Sequence, residues 1–247
     1  MKLILISLLF GACLTKVQWP HTNTIKVLTH PITVFPGQTY DGFKENGGKW
    51  VRYERGIERV GHCGDYNGDD IQAVFVLTFK STLKNVIIGP NSIKYVYCSS
   101  ECTIENVWWM YPCDSAITIE NDPSSFAKYY IKGGGAYGRG NFIQHNAPGT
   151  VYIENFVAED LNQLYKSCEN CNSYQGKREV FMTNVTATRV ETLAGYNANY
   201  GDIVTLQNIE FTGKHVCRIY EGRNDGGEAR ALGDKCQSNS ITKCVCN

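Results

Sequence analysis

The sequence predicts an all-β protein, a right-handed parallel β-helix stabilised by disulfides. An apolar, polar, Asn, apolar pattern recurs with spacings of 21, 27, 22, 29 and 24 residues. Apolar and polar residues alternate within the copies, and helical periodicity is nearly absent. Repeats of this length bury their apolar faces only by stacking on their neighbours. A leucine-rich repeat would need more Leu, and a β-sandwich would show more frequent turns without a recurring Asn.

The N-terminus predicts a secretory signal over residues 1–13. Lys2 supplies a positive charge, Leu3–Phe10 is apolar, and the small residues Gly11 and Cys13 follow. The apolar run is too short to span a bilayer. We therefore expect a secreted protein without a membrane anchor, in which residues 14–247 form one domain.

The opening rung of the solenoid is expected at Ile32–Gly42, which has the pattern of a strand, a turn and a strand. The stretch Lys44–Asp70 is rich in glycine and charge, which indicates a loop. At the other end, the polar and Cys-rich segment 214–247 is expected to close the solenoid.

The repeats that follow place one residue at a recurring corner. That residue tolerates a left-handed backbone, and stacked Asn side chains can hydrogen-bond to one another. The corner residues are Asn85, Asn106, Gly133, Asn155, Asn184 and Asn208.

Ten cysteines remain after the predicted signal, so up to five disulfides are expected in an oxidising compartment. Cys168 and Cys171 form a CxxC pair, for which we favour a structural role over a zinc or redox site. The pairing does not follow from the sequence. The ten are Cys63, Cys98, Cys102, Cys113, Cys168, Cys171, Cys217, Cys236, Cys244 and Cys246.

The charge balance limits the partners. Lys and Arg together number 24, as do Asp and Glu, so the formal net charge is zero. Nothing in this balance favours nucleic acid, and a polyanionic partner would need a local basic site. We expect a monomer.

Several segments resemble the family-3 pectate lyases, with the match running from about Thr33 to Tyr220. The segments are Thr82–Gly89, Cys102–Trp109, Gly133–Tyr137, Gln144–Asn146, Leu164–Cys171 and Asn199–Asp202. The resemblance implies a parallel β-helix, calcium as cofactor and eliminative cleavage of polygalacturonate, the backbone of pectin, in plant cell walls.

The chain departs from the family pattern at charged positions. Lys94 stands where the family has an aspartate that binds calcium, and Glu120 stands where it has a functional lysine. The family has a Glu-Asp pair that binds calcium. At these two positions this chain has Asp114, which keeps a carboxylate, and Ser115, which does not. Lys166 takes the place of an arginine. The exchange of charges predicts an ion pair of Lys94 with Glu120 or Asp114 that replaces the metal.

The candidate site residues follow from these positions. Lys166 or Arg178 is expected as the base, with Glu120 at the position of the family lysine. Asp114 is the candidate metal ligand for calcium. The candidate substrate-binding residues are Lys94, Arg139, Lys166 and Lys177.

Two further expectations concern residues inside the matching segments. His145 is expected to be structural and not catalytic. Because adjacent strand residues face opposite sides, one of Trp108 and Trp109 must face the core.

Two functions remain open from the sequence. The first is an active pectate lyase whose base has moved to Lys166 or Arg178. The second is a catalytically degenerate paralogue that binds pectin or another wall component without cleaving it. The residues that separate the two are Lys94 and Glu120.

Overall fold

A computed structural model describes residues 19–57, 70–112, 114–120, 122–168, 171, 176–225, 227–234 and 244. The predicted signal, residues 1–13, lies outside the described residues, so it stays a prediction, as does the domain division. No helix in the described ranges is long and apolar enough to cross a bilayer.

The regular secondary structure of the described residues is almost entirely β, with one four-residue helix, α1 (Gly42–Glu45), and two short 3-10 turns (Asp70–Gln72 and Ala198–Tyr200). The strands are β1 (Ile25–Val27), β2 (Ile32–Val34), β3 (Thr39–Asp41), β4 (Arg52–Glu54), β5 (Phe75–Leu77), β6 (Ser81–Ile88), β7 (Val96–Cys98), β8 (Cys102–Met110), β9 (Ser115–Ile119), β10 (Lys128–Tyr137), β11 (Asn141–His145), β12 (Gly149–Glu159), β13 (Gln163–Ser167), β14 (Arg178–Asn197), β15 (Ile203–Glu221) and β16 (Arg230–Asp234).

The strands form three faces of a right-handed parallel β-helix of about seven turns, which confirms the predicted fold. Face A contains β2, β5, β7, β9, β11, β13 and the last parts of β14 and β15. Face B contains β3 and the segments of β6, β8, β10, β12, β14 and β15 that precede the corner residue. Face C contains β1, β4 and the segments of the same strands that follow it. Among the described strands, β16 alone pairs antiparallel, against β15.

The corner between faces B and C is built from the recurring Asn. All five Asn have φ between 51° and 55°, and Gly133 has φ 65°. Asn106 donates to Asn85 at 2.9 Å, Asn184 to Asn155 at 3.0 Å, and Asn208 to Asn184 at 2.7 Å. The ladder is interrupted at Gly133, which has no side chain. The predicted stacking of Asn side chains is confirmed.

The core contains the apolar side chains that point inward from the three faces. Trp109 is fully buried, with its ring 5.0 Å from Phe142 and 6.4 Å from Phe156. Its neighbour Trp108 lies on the outside of face C, where the ring of Trp19 packs edge-on at 4.8 Å. The expectation that one of the two Trp faces the core is confirmed.

The opening rung is confirmed, because β2 pairs with β5 and β3 pairs with β6. The loop expected over Lys44–Asp70 is wrong in part. Residues Arg52–Glu54 form β4, which pairs with β1 and β6. The strand lies between β1 and β6 on face C, a position that its polar sequence does not indicate.

Three disulfides join described cysteines: Cys98–Cys102, Cys168–Cys171 and Cys217–Cys244. The CxxC pair is therefore a disulfide, in agreement with the structural role. Cys217–Cys244 lies within the predicted closing segment 214–247 and joins residue 244 to the last part of β15. The remaining cysteines of the expected framework lie outside the described residues.

Candidate functional site

Face A carries one row of polar side chains across neighbouring strands. Thr118, Gln144 and Lys166 are register partners on β9, β11 and β13. Adjacent strands lie about 4.8 Å apart, so these side chains are neighbours. Lys166 is half-buried between the buried residues Tyr165 and Ser167, which places its side chain on the outer surface of the face.

The start of face A holds the predicted ion pair. Lys94, just before β7, places its Nζ 3.0 Å from Oδ2 of Asp114, just before β9. The Lys94 side chain is 16% exposed and that of Asp114 is 44% exposed. The prediction of an ion pair between Lys94 and Asp114 is confirmed.

Charges of alternating sign continue along this corner of the solenoid. Asp160 pairs with Arg189 at 2.6 Å. The bond from Arg189 lowers the pKa of Asp160 below its ordinary value, and the charge of the exposed Arg139 adds to this effect. Arg139 therefore lies beside Asp160, on the rung after Asp114. Among the described residues of this corner, Asp114 and Asp160 are each paired with a cation.

Glu120 lies at the other end of β9 from Asp114. Six steps along the extended chain separate Asp114 from Glu120 by ~20 Å, at about 3.3 Å per step. Oε1 of Glu120 accepts a hydrogen bond from Nδ2 of Asn146 at 3.2 Å. The alternative pairing of Lys94 with Glu120 is therefore wrong, because the strand holds the two residues at opposite edges of face A.

A chain of amides connects Glu120 to the polar row. Nε2 of Gln144 donates to Oδ1 of Asn146 at 2.8 Å and to the carbonyl of Ser167 at 3.1 Å. Gln144 is thus fixed beside Lys166. Sequence reasoning missed Gln144 and Asn146 as site residues, although the Gln-His-Asn segment that contains them was part of the resemblance.

His145 points into the core and is fully buried. Its Nδ1 lies 2.9 Å from the hydroxyl of Tyr165, and the ring packs 5.6 Å from that of Tyr129. Burial lowers the pKa of His145 well below its ordinary value, and the charge of Arg178 adds to this effect. The expectation of a structural role is confirmed.

Arg178, a candidate base, has no exposed side-chain surface. Its Nε donates to the carbonyls of His145 at 3.1 Å and Asn146 at 3.0 Å, and its Nη1 to that of Gly176 at 2.7 Å. Burial lowers the pKa of Arg178, and the carboxylate of Asp202 opposes this effect. The guanidinium positions the turn that contains Asn146 and does not reach the outer surface, so we correct its predicted role to a positioning one.

Lys177 is separated from the other candidates. It lines a cleft on face B and is ion-paired with Glu179. The predicted cations therefore divide into three groups. Lys94 and Arg139 lie at the start of face A, Lys166 lies within it, and Lys177 lies at another corner.

The donors around Asp114 do not fit calcium. Calcium takes six to eight oxygen ligands, several of them carboxylates. Here the single carboxylate is neutralised by the Lys94 ammonium, and Ser115 is buried. Across the described ranges, no three His, Cys, Asp or Glu side chains cluster as a metal site would require.

The fold and the site define a parallel β-helix protein with a polar, cation-bearing outer face. The family model of pectate lyases matches residues 16–226. The chain therefore belongs to the pectate lyase family.

Curated relatives agree with this membership. The chain is 40% identical to "Probable pectate lyase F" of Aspergillus terreus over 203 residues, which is 82% of each protein. It is 37% identical to "Probable pectate lyase D" of Neosartorya fischeri over 251 residues, covering 98% of this chain and 99% of the relative.

Solved structures show the same fold. The catalytic domain of pectate lyase PelI from Erwinia chrysanthemi has a TM-score of 0.66 and 25% identity, covering 84% of this chain and 92% of that one. PelI in complex with tetragalacturonic acid has a TM-score of 0.62 and 25% identity, covering 83% of this chain and 64% of that one.

Proposed function

We propose that this protein is secreted and cleaves the polygalacturonate of plant cell walls by β-elimination. The observation that carries the proposal is the side chain of Lys166 on the outer surface of face A, in register with Gln144 and Thr118. A pectate lyase of the same fold is known in complex with tetragalacturonic acid, which supports an oligogalacturonate as the ligand class.

The proposed reaction needs a base and a cationic surface. The Lys166 amine removes the proton from C5 of a galacturonate residue. The C4–oxygen bond then breaks, a C4=C5 double bond forms, and the departing oxygen takes up a proton from water. Cations at the start of the face, Arg139 foremost, attract the carboxylates of the polymer. Gln144 is fixed beside the base and can donate to the sugar hydroxyls.

The resemblance implies calcium, and the donor set at Asp114 does not fit it. We therefore propose that any cleavage proceeds without a calcium ion at Asp114. The expected result is that a chelator leaves the rate on polygalacturonate unchanged.

The test is the absorbance of the unsaturated uronide, followed with polygalacturonate in the presence of calcium and of a chelator. Lys166→Ala should lower the rate by roughly 10²- to 10⁴-fold, the usual contribution of a general base. Lys49→Ala, which removes an exposed lysine away from face A, is the matched control and should keep the wild-type rate. An equal rate for Lys166→Ala and wild type would refute the assignment of the base.

A second candidate function is binding without cleavage. It is favoured by Lys94 and Glu120, whose charges are opposite to those of the family positions they occupy. Binding of polygalacturonate in calorimetry, with no rise in absorbance above background, would establish this function and eliminate the lyase.

Secretion has its own test. Expression in a secreting eukaryotic host should release a protein that begins at Leu14, as determined by N-terminal sequencing. Retention of Met1 in the released protein would contradict the predicted signal.

A further inference from the structure

A cleft of about 800 Å³ lies on face B, away from the polar row of face A. It crosses the starts of β6, β8, β10, β12 and β14, which is four strand spacings or on the order of 19 Å. The residues that give the cleft its character are Lys80, Glu101, Phe126, Lys128, Tyr130 and Lys177.

The cleft has a cationic centre. Lys80 pairs with Glu101 at 3.8 Å on one side, and Lys177 pairs with Glu179 on the other. Lys128 lies between them and is exposed, and no described residue pairs with its ammonium. The described lining contains three lysines and two glutamates and so carries a net positive charge, with Lys128 at its centre.

Aromatic side chains stand beside this cation. Phe126 is 86% exposed and lines the cleft. Tyr130 heads a column of outward rings, with Tyr152 stacked on it at 5.0 Å and Phe181 stacked on Tyr152 at 5.4 Å. The stacked column holds the Tyr130 ring in place without ligand.

An exposed cation next to exposed and fixed aromatic rings is a combination that recognises anionic sugars. The ammonium binds a carboxylate, and the rings cover the apolar faces of the pyranose units. An elongated shape across several strands suits a chain of sugars better than a single one.

We propose that this cleft is a second binding site for an anionic polysaccharide of uronate units, centred on Lys128 and Phe126. It holds one stretch of the polymer on face B while another stretch lies on face A. The identity of the polymer rests on the proposed function, which names polygalacturonate.

The experiment measures the Kd of the full chain for polygalacturonate by calorimetry, and the initial rate of the wild type and variants on tetragalacturonate. Lys128→Ala and Phe126→Ala should each weaken the polymer Kd by roughly tenfold. Both should leave the rate on the tetramer unchanged. Lys49→Ala removes the same charge from an exposed lysine that does not line the cleft, and it should bind within twofold of the wild type. A neutral galactan should bind no more tightly to the wild type than to Lys128→Ala.

The outcomes separate the two proposals. If Lys166→Ala weakens binding while Lys128→Ala and Phe126→Ala match the wild type, the proposal of a second site is overturned and binding of the polymer on face A is supported. If the cleft variants weaken the polymer Kd although the wild type cleaves nothing, the second binding site is supported and the proposed lyase activity is refuted. No binding of polygalacturonate by the wild type would overturn both. Thermal melting of each variant shows that a lost interaction is not a lost fold.

Discussion

The Asn corner makes a quantitative prediction about stability, best tested at Asn106. Its Nδ2 donates to Oδ1 of Asn85 at 2.9 Å, and its Oδ1 accepts from Nε1 of Trp108 at 2.9 Å. Its φ is 51°, a left-handed conformation that costs an ordinary L-residue roughly 1–2 kcal/mol. Two substitutions separate these contributions, because glycine adopts the left-handed backbone conformation without strain and alanine does not.

Asn106→Gly removes only the two hydrogen bonds. At about 0.5–1.5 kcal/mol each, the expected loss of unfolding free energy is about 1–3 kcal/mol. Asn106→Ala loses the same bonds and adds the left-handed strain, so it should lose about 2–5 kcal/mol. Gly133 already occupies the same corner on the next rung, which shows that the solenoid accepts a glycine there.

The assay is urea denaturation followed by circular dichroism, with the unfolding free energy extrapolated to water. The order wild type, Asn106→Gly, Asn106→Ala is the expected result, with the last step near 1–2 kcal/mol. An Asn106→Ala protein as stable as Asn106→Gly would refute the argument that the corner is selected by backbone conformation.

Three further predictions follow from other contacts. Lys94→Asp should create a weak calcium site beside Asp114, with a Kd of ~10⁻⁴–10⁻³ M by calorimetry. Calcium binding by the wild type that disappears in Asp114→Ala would contradict the proposed replacement of the metal by Lys94. Because the native pKa of His145 is depressed, the unfolded chain binds a proton that the native protein does not, so unfolding free energy should fall by up to about 1.4 kcal/mol per pH unit below about pH 6.5. His145→Phe should flatten this dependence in denaturation curves between pH 7 and 5, and an unchanged slope would contradict the buried neutral imidazole. Trp19→Ala should cost about 1–3 kcal/mol in urea denaturation, because its ring packs against Trp108 and one further aromatic ring, whereas Trp19→Phe should keep most of this stability.

The fold was accessible from the sequence because its determinants are local and repeated. Asn85 and the equivalent residues adopt a conformation that few side chains tolerate, so each copy marks its own corner. Stacking then follows from the length of the repeat. The β4 strand was missed because residues 52–54 carry no repeat signal, and they become a strand only through their partners β1 and β6.

By itself the sequence determined the parallel β-helix, the Asn corner and the charge exchange that predicts an ion pair of Lys94 with Glu120 or Asp114. The tertiary structure decided which candidates share a surface. Glu120 is excluded from the ion pair with Lys94 by the length of β9. Arg178 does not reach the surface, because its guanidinium donates hydrogen bonds to buried carbonyls. Lys177 belongs to the cleft on face B. Residue types and spacings indicate which chemistry a side chain can perform. Which side chains become its neighbours depends on packing between turns of the solenoid that are distant in the chain.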